Sequence, residues 1–303
     1  MTRLVVLGPP SFPALDLLRA SRVDYVASEE LATLRDSVSG TDAILITPRY
    51  ARLLGELLPF ATRLRWIHAL AAGVDQLPFD ALRTISVTVT NSRGLYADAL
   101  GEFAIAAMLW FAKDLRRLER NHAAHRWEPF TVARLEGKTA GIVGFGGIGR
   151  AVGRRAEAMG MRVLPVRSRE GSIDEVIAAS DYIVLSTPLT AATRGLLNAA
   201  RIASMRSTAV LVNVSRGAVV DQRALVEALR ERRIRGAALD VFETEPLPPD
   251  HPLWTLDNVL ISPHSADHTD DAHERAIRFF LSNLSRFERG ETLENIVDLT
   301  AGY

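Results

Sequence analysis

The sequence contains no cysteine. This absence excludes disulfide bonds, thiolate metal sites and cysteine nucleophiles, and it fits a reducing compartment, so we expect a cytoplasmic location. An excess of charge of one sign is also missing, because 36 Lys and Arg residues balance 36 Asp and Glu residues. A chain without net charge has no long-range field that attracts phosphate backbones or anionic lipid. We therefore expect neither a nucleic-acid partner nor a membrane partner.

Long hydrophobic runs are absent as well. The longest apolar run covers residues 103–112, between Glu102 and Lys113, and it falls well short of the roughly 18 residues that span a bilayer. The apolar stretch at the start of the chain stops at the Gly-Pro-Pro sequence of residues 8–10, so we expect no secretory signal there. A length of 303 residues with 48% hydrophobic and 24% charged residues is typical of a globular protein with two domains.

Short apolar strands alternate with helical stretches along the chain, which predicts parallel βαβ units. In the first part, strands are predicted at 4–7, 43–47, 66–69 and 87–90, helices at 12–19 and 52–59, and a long helix at 98–121. In the second part, strands are predicted at 139–143, 162–166, 182–185, 209–213, 236–240 and 259–261. Helices are predicted there at 147–159, after a capping box at 172–175, and at 198–205, 221–230 and 270–289. The tail at 295–298 is expected to return to the first domain.

A glycine-rich sequence, G-F-G-G-I-G, occupies residues 144–149 directly after a predicted strand and at the start of a predicted helix. This context is what a dinucleotide-binding turn requires. Gly144 permits the tight turn, Gly146 lets the backbone approach the pyrophosphate, and Gly149 allows close packing of helix against strand. Together with Gly147 and Ile148 they form the predicted pyrophosphate site at a helix N-terminus. The alternative is a glycine-rich turn that binds no ligand.

The next predicted strand ends in Arg167, Ser168 and Arg169, and the first acidic residue after it is Glu170. A site that selects NAD normally has Asp or Glu near the strand end to bind the ribose 2′-hydroxyl. Two arginines and a hydroxyl can instead bind a 2′-phosphate through charge-assisted hydrogen bonds. We therefore predict NADP as the preferred cofactor, with NAD as the alternative if these arginines are only solvated.

Three later segments carry polar residues where predicted strands end: S-R-G at 215–217, A-L-D-V-F-E-T-E-P at 238–246 and S-P-H at 262–264. Ligands of open parallel sheets bind beyond the carboxyl ends of the strands. Arg216, Asp240, Glu245 and His264 are therefore expected to converge around a nicotinamide ring.

These three segments and the glycine motif resemble the D-isomer-specific 2-hydroxyacid dehydrogenase family, in particular its glyoxylate and hydroxypyruvate reductases. The resemblance runs from the loop at 71–75 to the end of the last helix. It implies a Rossmann-type, doubly wound dinucleotide-binding domain over residues 99–266. It also implies a smaller, flavodoxin-like α/β substrate domain built from residues 1–98 and 267–303, with the active site in a cleft between the two. A homodimer is implied as well, with the region after the long helix in the contact.

The resemblance assigns the family's catalytic arginine, glutamate and histidine to Arg216, Glu245 and His264. An arginine fork can bind the substrate's carboxylate and polarise its carbonyl. A histidine can protonate the oxyanion during reduction, and a glutamate can orient the imidazole and favour its charged form. Asp240 is expected at the nicotinamide end.

Two further groups complete the predicted site. The resemblance implies that backbone N–H groups of Ala71, Ala72 and Gly73 hold the substrate carboxylate, and the alternative is an ordinary turn. Arg93 is a candidate for a second cation facing that carboxylate. The cofactor-binding set also includes Thr187, Pro188 and Val214. We expect no metal. The predicted activity is NAD(P)-dependent hydride transfer to C2 of a small 2-oxo acid, of the glyoxylate or hydroxypyruvate type. A phosphoglycerate enzyme of the same family is an alternative substrate assignment, and a non-catalytic dinucleotide sensor on the same fold is the alternative from another functional class.

Overall fold

A computed structural model describes residues 2–167 and 172–303. The chain divides into two compact units, which we call unit 1 (Met1–Tyr96 with Thr269–Tyr303) and unit 2 (Ala97–His268). Each unit contains one parallel sheet with helices. The predicted α/β fold class is therefore confirmed.

Unit 1 has a five-stranded sheet in the order β2-β1-β3-β4-β5, which is the flavodoxin-like order. Its strands are β1 (Leu4–Leu7), β2 (Tyr25–Ser28), β3 (Ala43–Ile46), β4 (Trp66–Ala69) and β5 (Thr88–Asn91). Its helices are α1 (Asp16–Ala20), α2 (Leu31–Val38), α3 (Leu53–Leu57), α4 (Phe79–Leu82) and, near the end of the chain, α11 (Ala272–Glu288).

Three elements of unit 1, β2, α2 and α4, are missing from the sequence prediction. β2 is an edge strand with an exposed Val26, so it lacks the continuous apolar pattern of the strands between other strands. The predicted helix at 12–19 shrinks to α1 because Ala14, with φ 68°, interrupts it. The predicted return of the tail is confirmed, since the Val297 N–H donates to the Val89 carbonyl at 2.8 Å.

Unit 2 has a six-stranded sheet in the order β11-β10-β9-β8-β6-β7. Its strands are β6 (Thr139–Val143), β7 (Arg162–Val166), β8 (Tyr182–Leu185), β9 (Val210–Asn213), β10 (Gly236–Leu239) and β11 (Val259–Ile261). Its helices are α5 (Ala97–Ala112), α6 (Leu115–Ala123), α7 (Gly147–Ala158), α8 (Ile173–Ala179), α9 (Ala199–Ser204) and α10 (Gln222–Arg230). The chain reverses its winding direction between β6 and β8, so the switch point where such sheets bind ligands lies at their carboxyl ends.

The long helix predicted over 98–121 is two helices. Asp114 has φ 49° and ψ 52°, in the left-handed region, which ends α5 and turns the chain into α6. Aspartate tolerates this conformation better than most residues, and neither glycine nor proline lies near the break to mark it in the sequence.

The helix starts predicted at the capping residues Ser172 and Asp221 are confirmed, and Asn198, for which no cap was predicted, caps α9 in the same way. The side chains of Ser172, Asn198 and Asp221 accept hydrogen bonds from backbone N–H groups three residues further on. These caps fix where α8, α9 and α10 begin, and with them the loops at the ends of the strands. In the described part of the chain, no helix combines the length and apolar character needed to cross a membrane.

Candidate active site

The turn after β6 has the shape of a dinucleotide cradle. Gly144 has φ +94°, and a Cβ added there would lie 2.7 Å from the Ser186 carbonyl. A Cβ on Gly149 would lie 2.2 Å from the carbonyl oxygen of Gly144. By contrast, within the described structure no atom outside the turn lies within 4 Å of a Cβ built on Gly146. The turn therefore needs glycine on its packed side and is open at Gly146.

The turn itself carries backbone donors that are not used. Within residues 2–167 and 172–303, the N–H groups of Phe145, Gly146 and Gly147 donate to no acceptor, and they lie at the positive end of α7. Thr187 lies beside Gly144, and its buried Oγ1 has no hydrogen-bond partner in the same part of the chain. A buried, unsatisfied hydroxyl is costly unless a ligand completes it. The residues present thus fit a bound pyrophosphate.

Only some of the other predicted cofactor residues lie next to this turn. Ile148 lies in the first turn of α7, and Arg167 follows β7 with its guanidinium carbon 5.7 Å from the centre of the Phe145 ring. Ser168 and Arg169 lie outside the described residues. Pro188 follows Thr187 after β8, whereas the N–H of Val214 is used within the sheet, donating to the Leu185 carbonyl.

Arg216 lies just after β9, in a loop fixed by the side chain of Asn213. The Asn213 Oδ1 accepts from the Ser215 hydroxyl at 2.7 Å, and its Nδ2 donates to the Arg216 carbonyl at 3.2 Å. A Cβ added at Gly217 would lie 1.8 Å from the carbonyl carbon of Phe242. Only glycine can therefore follow Arg216 while the loops after β9 and β10 remain in contact.

Glu245 and His264 form a hydrogen-bonded pair. Oε2 of Glu245 lies 2.7 Å from Nδ1 of His264, and its Oε1 accepts the Phe242 N–H at 2.9 Å. A carboxylate can only accept, so Nδ1 carries the hydrogen and Nε2 is left for proton exchange with a substrate. The imidazole side chain is 42% exposed, which leaves it accessible.

Asp240 supports the loop that carries His264. Its buried Oδ1 accepts hydrogen bonds from the Ser262 hydroxyl at 2.5 Å and from the N–H groups of Ser265 and Ala266 at 3.0 Å each. The Asp240 carbonyl accepts the His264 N–H at 2.8 Å, and His264 has φ 53°. The left-handed conformation of His264 is thus held by Asp240, a role that sequence reasoning missed.

Glu245 and His264 shift each other's pKa values. The hydrogen bond to Glu245 raises the pKa of His264 above its ordinary value, although partial burial and the nearby charge of Arg216 oppose this. Burial would raise the pKa of Glu245, but hydrogen bonds from His264 and Phe242 and the charges of His264 and Arg216 lower it below its ordinary value. Arg216, Glu245 and His264 therefore form one electrostatic group, with an ionised glutamate and a histidine that favours its charged form.

Replacing Glu245 with glutamine should move the pH dependence of the reduction that the sequence predicts. That reaction is expected to take its proton from His264, so kcat/KM should stay high below the pKa of His264 and fall as the pH rises through it. Because Glu245 raises that pKa, we expect the falling limb of E245Q to shift to lower pH. A pH profile of kcat/KM measures this, with E243Q as a matched control at a nearby carboxylate without a contact to His264. An unchanged profile in E245Q would contradict the pairing.

The predicted carboxylate-binding loop, which follows β4 in unit 1, has its carbonyls occupied and its donors available. The carbonyls of Leu70, Ala71 and Ala72 accept hydrogen bonds from the Tyr96 hydroxyl, the Ser92 N–H and the Asn91 side chain respectively. In the described part of the chain the N–H groups of residues 71–74 donate to nothing. Such a row of free N–H groups is suited to an anion.

A buried histidine lies beneath this loop and was not predicted. His68 in β4 has no exposed surface, and its ring nitrogens lie 2.7 Å from the Thr90 hydroxyl and 3.3 Å from the Ser92 hydroxyl. Burial lowers the pKa of His68 to about 3, so the ring is neutral. A histidine inside a four-residue buried strand was the available signal, since such a group needs hydrogen-bond partners.

Comparison with known proteins gives a consistent picture. The family model "D-isomer specific 2-hydroxyacid dehydrogenase, NAD binding domain" matches residues 105–266. A glyoxylate reductase of Korarchaeum cryptofilum is 36% identical over 261 residues, covering 80% of this chain and 79% of that protein. The crystal structure of a glyoxylate reductase from Paecilomyes thermophila matches 99% of both chains with a TM-score of 0.88 and 26% identity.

A second solved structure carries a cofactor. It is a D-isomer specific 2-hydroxyacid dehydrogenase from Xanthobacter autotrophicus Py2 in complex with NADPH and MES. It matches all of this chain and 99% of that one, with a TM-score of 0.84 and 28% identity.

Proposed function

Because the chain belongs to the D-isomer specific 2-hydroxyacid dehydrogenase family, we propose that it reduces small 2-oxo acids of the glyoxylate and hydroxypyruvate type, with NADPH as the preferred reductant. The chain is an NAD(P)-dependent 2-oxo acid reductase. The alternative of a non-catalytic dinucleotide sensor is set aside for the same reason. The observation that carries the proposal is the 2.7 Å pair of Glu245 and His264, which shares its electrostatic environment with Arg216.

Each side chain has one task in the proposed reaction. When bound, the reduced nicotinamide supplies the hydride for C2. Arg216 binds the carboxylate and the carbonyl oxygen through its planar fork and stabilises the negative charge that develops on that oxygen. His264 donates the proton on Nε2 to the oxygen, and Glu245 holds the ring and stabilises its charged form beforehand.

The free N–H groups of Ala71, Ala72 and Gly73 are proposed to hold the substrate carboxylate. Four donors with no acceptor of their own, in the described residues 71–74, support this assignment. Backbone donors suit a carboxylate common to all 2-oxo acids, because they recognise charge and position rather than the rest of the molecule. Asp240 is proposed to contact the carboxamide end of the nicotinamide with the carboxylate oxygen that the loop after β11 leaves unused.

Preference for NADPH is proposed on the basis of Arg167. Its guanidinium lies over the Phe145 ring beside the glycine turn, where a 2′-phosphate would extend from the adenosine ribose. We expect kcat/KM to be higher with NADPH than with NADH, and R167Q to lower that ratio by about tenfold or more, the usual size of a charged hydrogen bond. R162Q, at the opposite end of β7, is the control. A wild-type preference for NADH would refute the assignment.

We further propose a homodimer in the cytoplasm. In the segment after α6, Trp127 is 97% exposed and Val132 is 45% exposed, an apolar pair that a second copy would cover. We expect a mass of twice 33.2 kDa in sedimentation equilibrium, and a dimer dissociation constant raised about tenfold or more by W127D, since a buried Trp anchors interfaces strongly. I85D, at another exposed apolar residue, should leave the dimer intact. A monomeric wild type would overturn the proposal.

Substrate identity is tested by a panel. Glyoxylate, hydroxypyruvate, pyruvate and phenylpyruvate are each added to enzyme and NADPH, and NADPH absorbance is followed. We expect the first two to give the highest kcat/KM of the four. No turnover with either of them, from a folded enzyme that binds NADPH, would refute the proposed substrate type.

A further inference from the structure

We propose that Gln222 is a positioning residue for the reaction, and that it acts through the backbone of residues 242–243 on the Glu245–His264 pair. The inference rests on the proposed function. All of these residues lie in unit 2. Gln222 begins α10, directly after the loop that carries Arg216, so it joins that loop to the loop after β10, which carries Glu245.

The peptide group between Phe242 and Glu243 is fixed by two residues of the segment after β9. A Cβ added at Gly217 would lie 1.9 Å from the Phe242 carbonyl oxygen and 2.3 Å from the Glu243 nitrogen, so this peptide group packs directly on Gly217. The N–H of the same peptide group donates to Oε1 of Gln222 at 3.0 Å. One packing contact and one hydrogen bond therefore set its orientation.

Phe242 connects this peptide group to the catalytic pair. The Phe242 N–H donates to Oε1 of Glu245 at 2.9 Å, and Oε2 of Glu245 lies 2.7 Å from Nδ1 of His264. The Phe242 side chain is buried in the core of unit 2. Because the ring is held, a rotation of the peptide group after Phe242 is taken up by the backbone of this residue, which carries the N–H that holds Glu245.

The protonation of His264 reports the position of Glu245. The hydrogen bond from Glu245 is the largest influence on the pKa of His264 and raises it, while Arg216 and Asp240 are the other charged groups that act on the ring. Burial would raise the pKa of Glu245, and the hydrogen bond from Phe242 is one of the contacts that lower it. A Glu245 that is held less firmly against Nδ1 should therefore leave His264 with a lower pKa.

The acceptor oxygen of Gln222, rather than its amide nitrogen, makes the useful bond. Nε2 of Gln222 lies 3.1 Å from Nε2 of His251, whose Nδ1 accepts the Leu253 N–H at 3.2 Å. A neutral imidazole has one acceptor nitrogen, so the ring nitrogen that faces Gln222 carries the hydrogen. Glutamate at position 222 would keep the acceptor for the Glu243 N–H and could also accept from His251, whereas leucine would remove the acceptor at similar size.

The experiment measures the pH dependence of kcat/KM for glyoxylate with NADPH in the full-length wild type, Q222L and Q222E. We expect the falling limb of Q222L to lie about half a pH unit lower, a fraction of a charge-assisted hydrogen bond, which lowers kcat/KM about threefold above the limb. Well below the limb the change should be less than about twofold. Q222E should keep the wild-type limb. An NMR titration of the His264 ring, assigned with H264Q, should show the same shift without turnover.

Two further variants separate the path from its alternatives. Q222L/E245Q should have the limb of E245Q alone, because Gln222 acts only through Glu245. H251N keeps a capping side chain before Pro252 and should leave the limb unchanged, since His251 is not part of the path.

A wild-type limb in Q222L beside a shifted limb in E245Q would overturn the role of Gln222. So would a shift in Q222E or H251N equal to that of Q222L, or a further shift when Q222L is added to E245Q. Failure of the proposed function would instead appear as an unshifted limb in E245Q, or as no turnover of any 2-oxo acid by the wild type.

Discussion

Replacing His264 with glutamine is expected to lower kcat for 2-oxo acid reduction by about a hundredfold or more, the usual effect of losing a general acid. Glutamine keeps a polar side chain of similar length, but it cannot deliver a proton from the position of Nε2. KM should change little, because the groups proposed to bind the substrate carboxylate are unchanged in this variant. Steady-state kinetics at a pH below the falling limb of the wild type give the comparison.

The control for His264 is H268Q. His268 is four residues further along the chain, is exposed, and lies 3.8 Å from Asp267 rather than beside Glu245. It should keep near-normal rates. If H264Q were also near normal, His264 would not be the acid, and the raised pKa produced by Glu245 would have no catalytic meaning.

Replacing Arg216 with glutamine should reduce kcat/KM by about 10²–10³-fold, the range seen when a donor to a developing oxyanion is removed. The loss should appear in both kcat and KM, since the same guanidinium is proposed to bind the carboxylate and to polarise the carbonyl. R216K should recover little of the activity, because a lysine ammonium keeps the charge without the planar fork.

The control is R223Q, which removes an exposed arginine from α10 in the same unit. It should leave kcat/KM unchanged. Retention of near-normal kcat/KM in R216Q or R216K would mean that another group orients the substrate. The same variants also distinguish a loss of catalysis from a loss of folding. The Asn213 side chain holds the loop through backbone atoms of residues 215 and 216, which the substitutions do not change. Loss of the Arg216 side chain should therefore leave the thermal unfolding midpoint close to that of the wild type.

Much of the candidate site could be predicted because three successive strands, β9, β10 and β11, are also neighbours in the sheet. Residues that follow them must then lie at one edge, so S-R-G, the glutamate before Pro246 and the terminal histidine of S-P-H come together without knowledge of side-chain contacts. The glycine turn could also be predicted, since the sequence G-x-G-x-x-G between a strand and a helix has a defined geometry.

The features that could not be predicted depend on contacts between segments far apart in sequence. The need for Gly217 comes from the backbone of Phe242, and the conformation of His264 comes from Asp240. The sequence also does not show that the N–H groups at 71–74 lack acceptors. That depends on how the loop packs against Asn91, Ser92 and Tyr96, which donate hydrogen bonds to the carbonyls of the same loop. The break at Asp114 was hidden because neither glycine nor proline lies near it to mark it in the sequence.

The central claim is that one catalytic group, Arg216 with the Glu245–His264 pair, reduces C2 of a 2-oxo acid. It is tested most directly by incubating the enzyme with glyoxylate or hydroxypyruvate and NADPH deuterated at nicotinamide C4 on one face or the other. Mass spectrometry then locates the label. We expect one cofactor face to deliver a single deuterium to C2 of the 2-hydroxy acid, with little product from H264Q. Product without deuterium from either face, or equal labelled product from H264Q, would contradict the account.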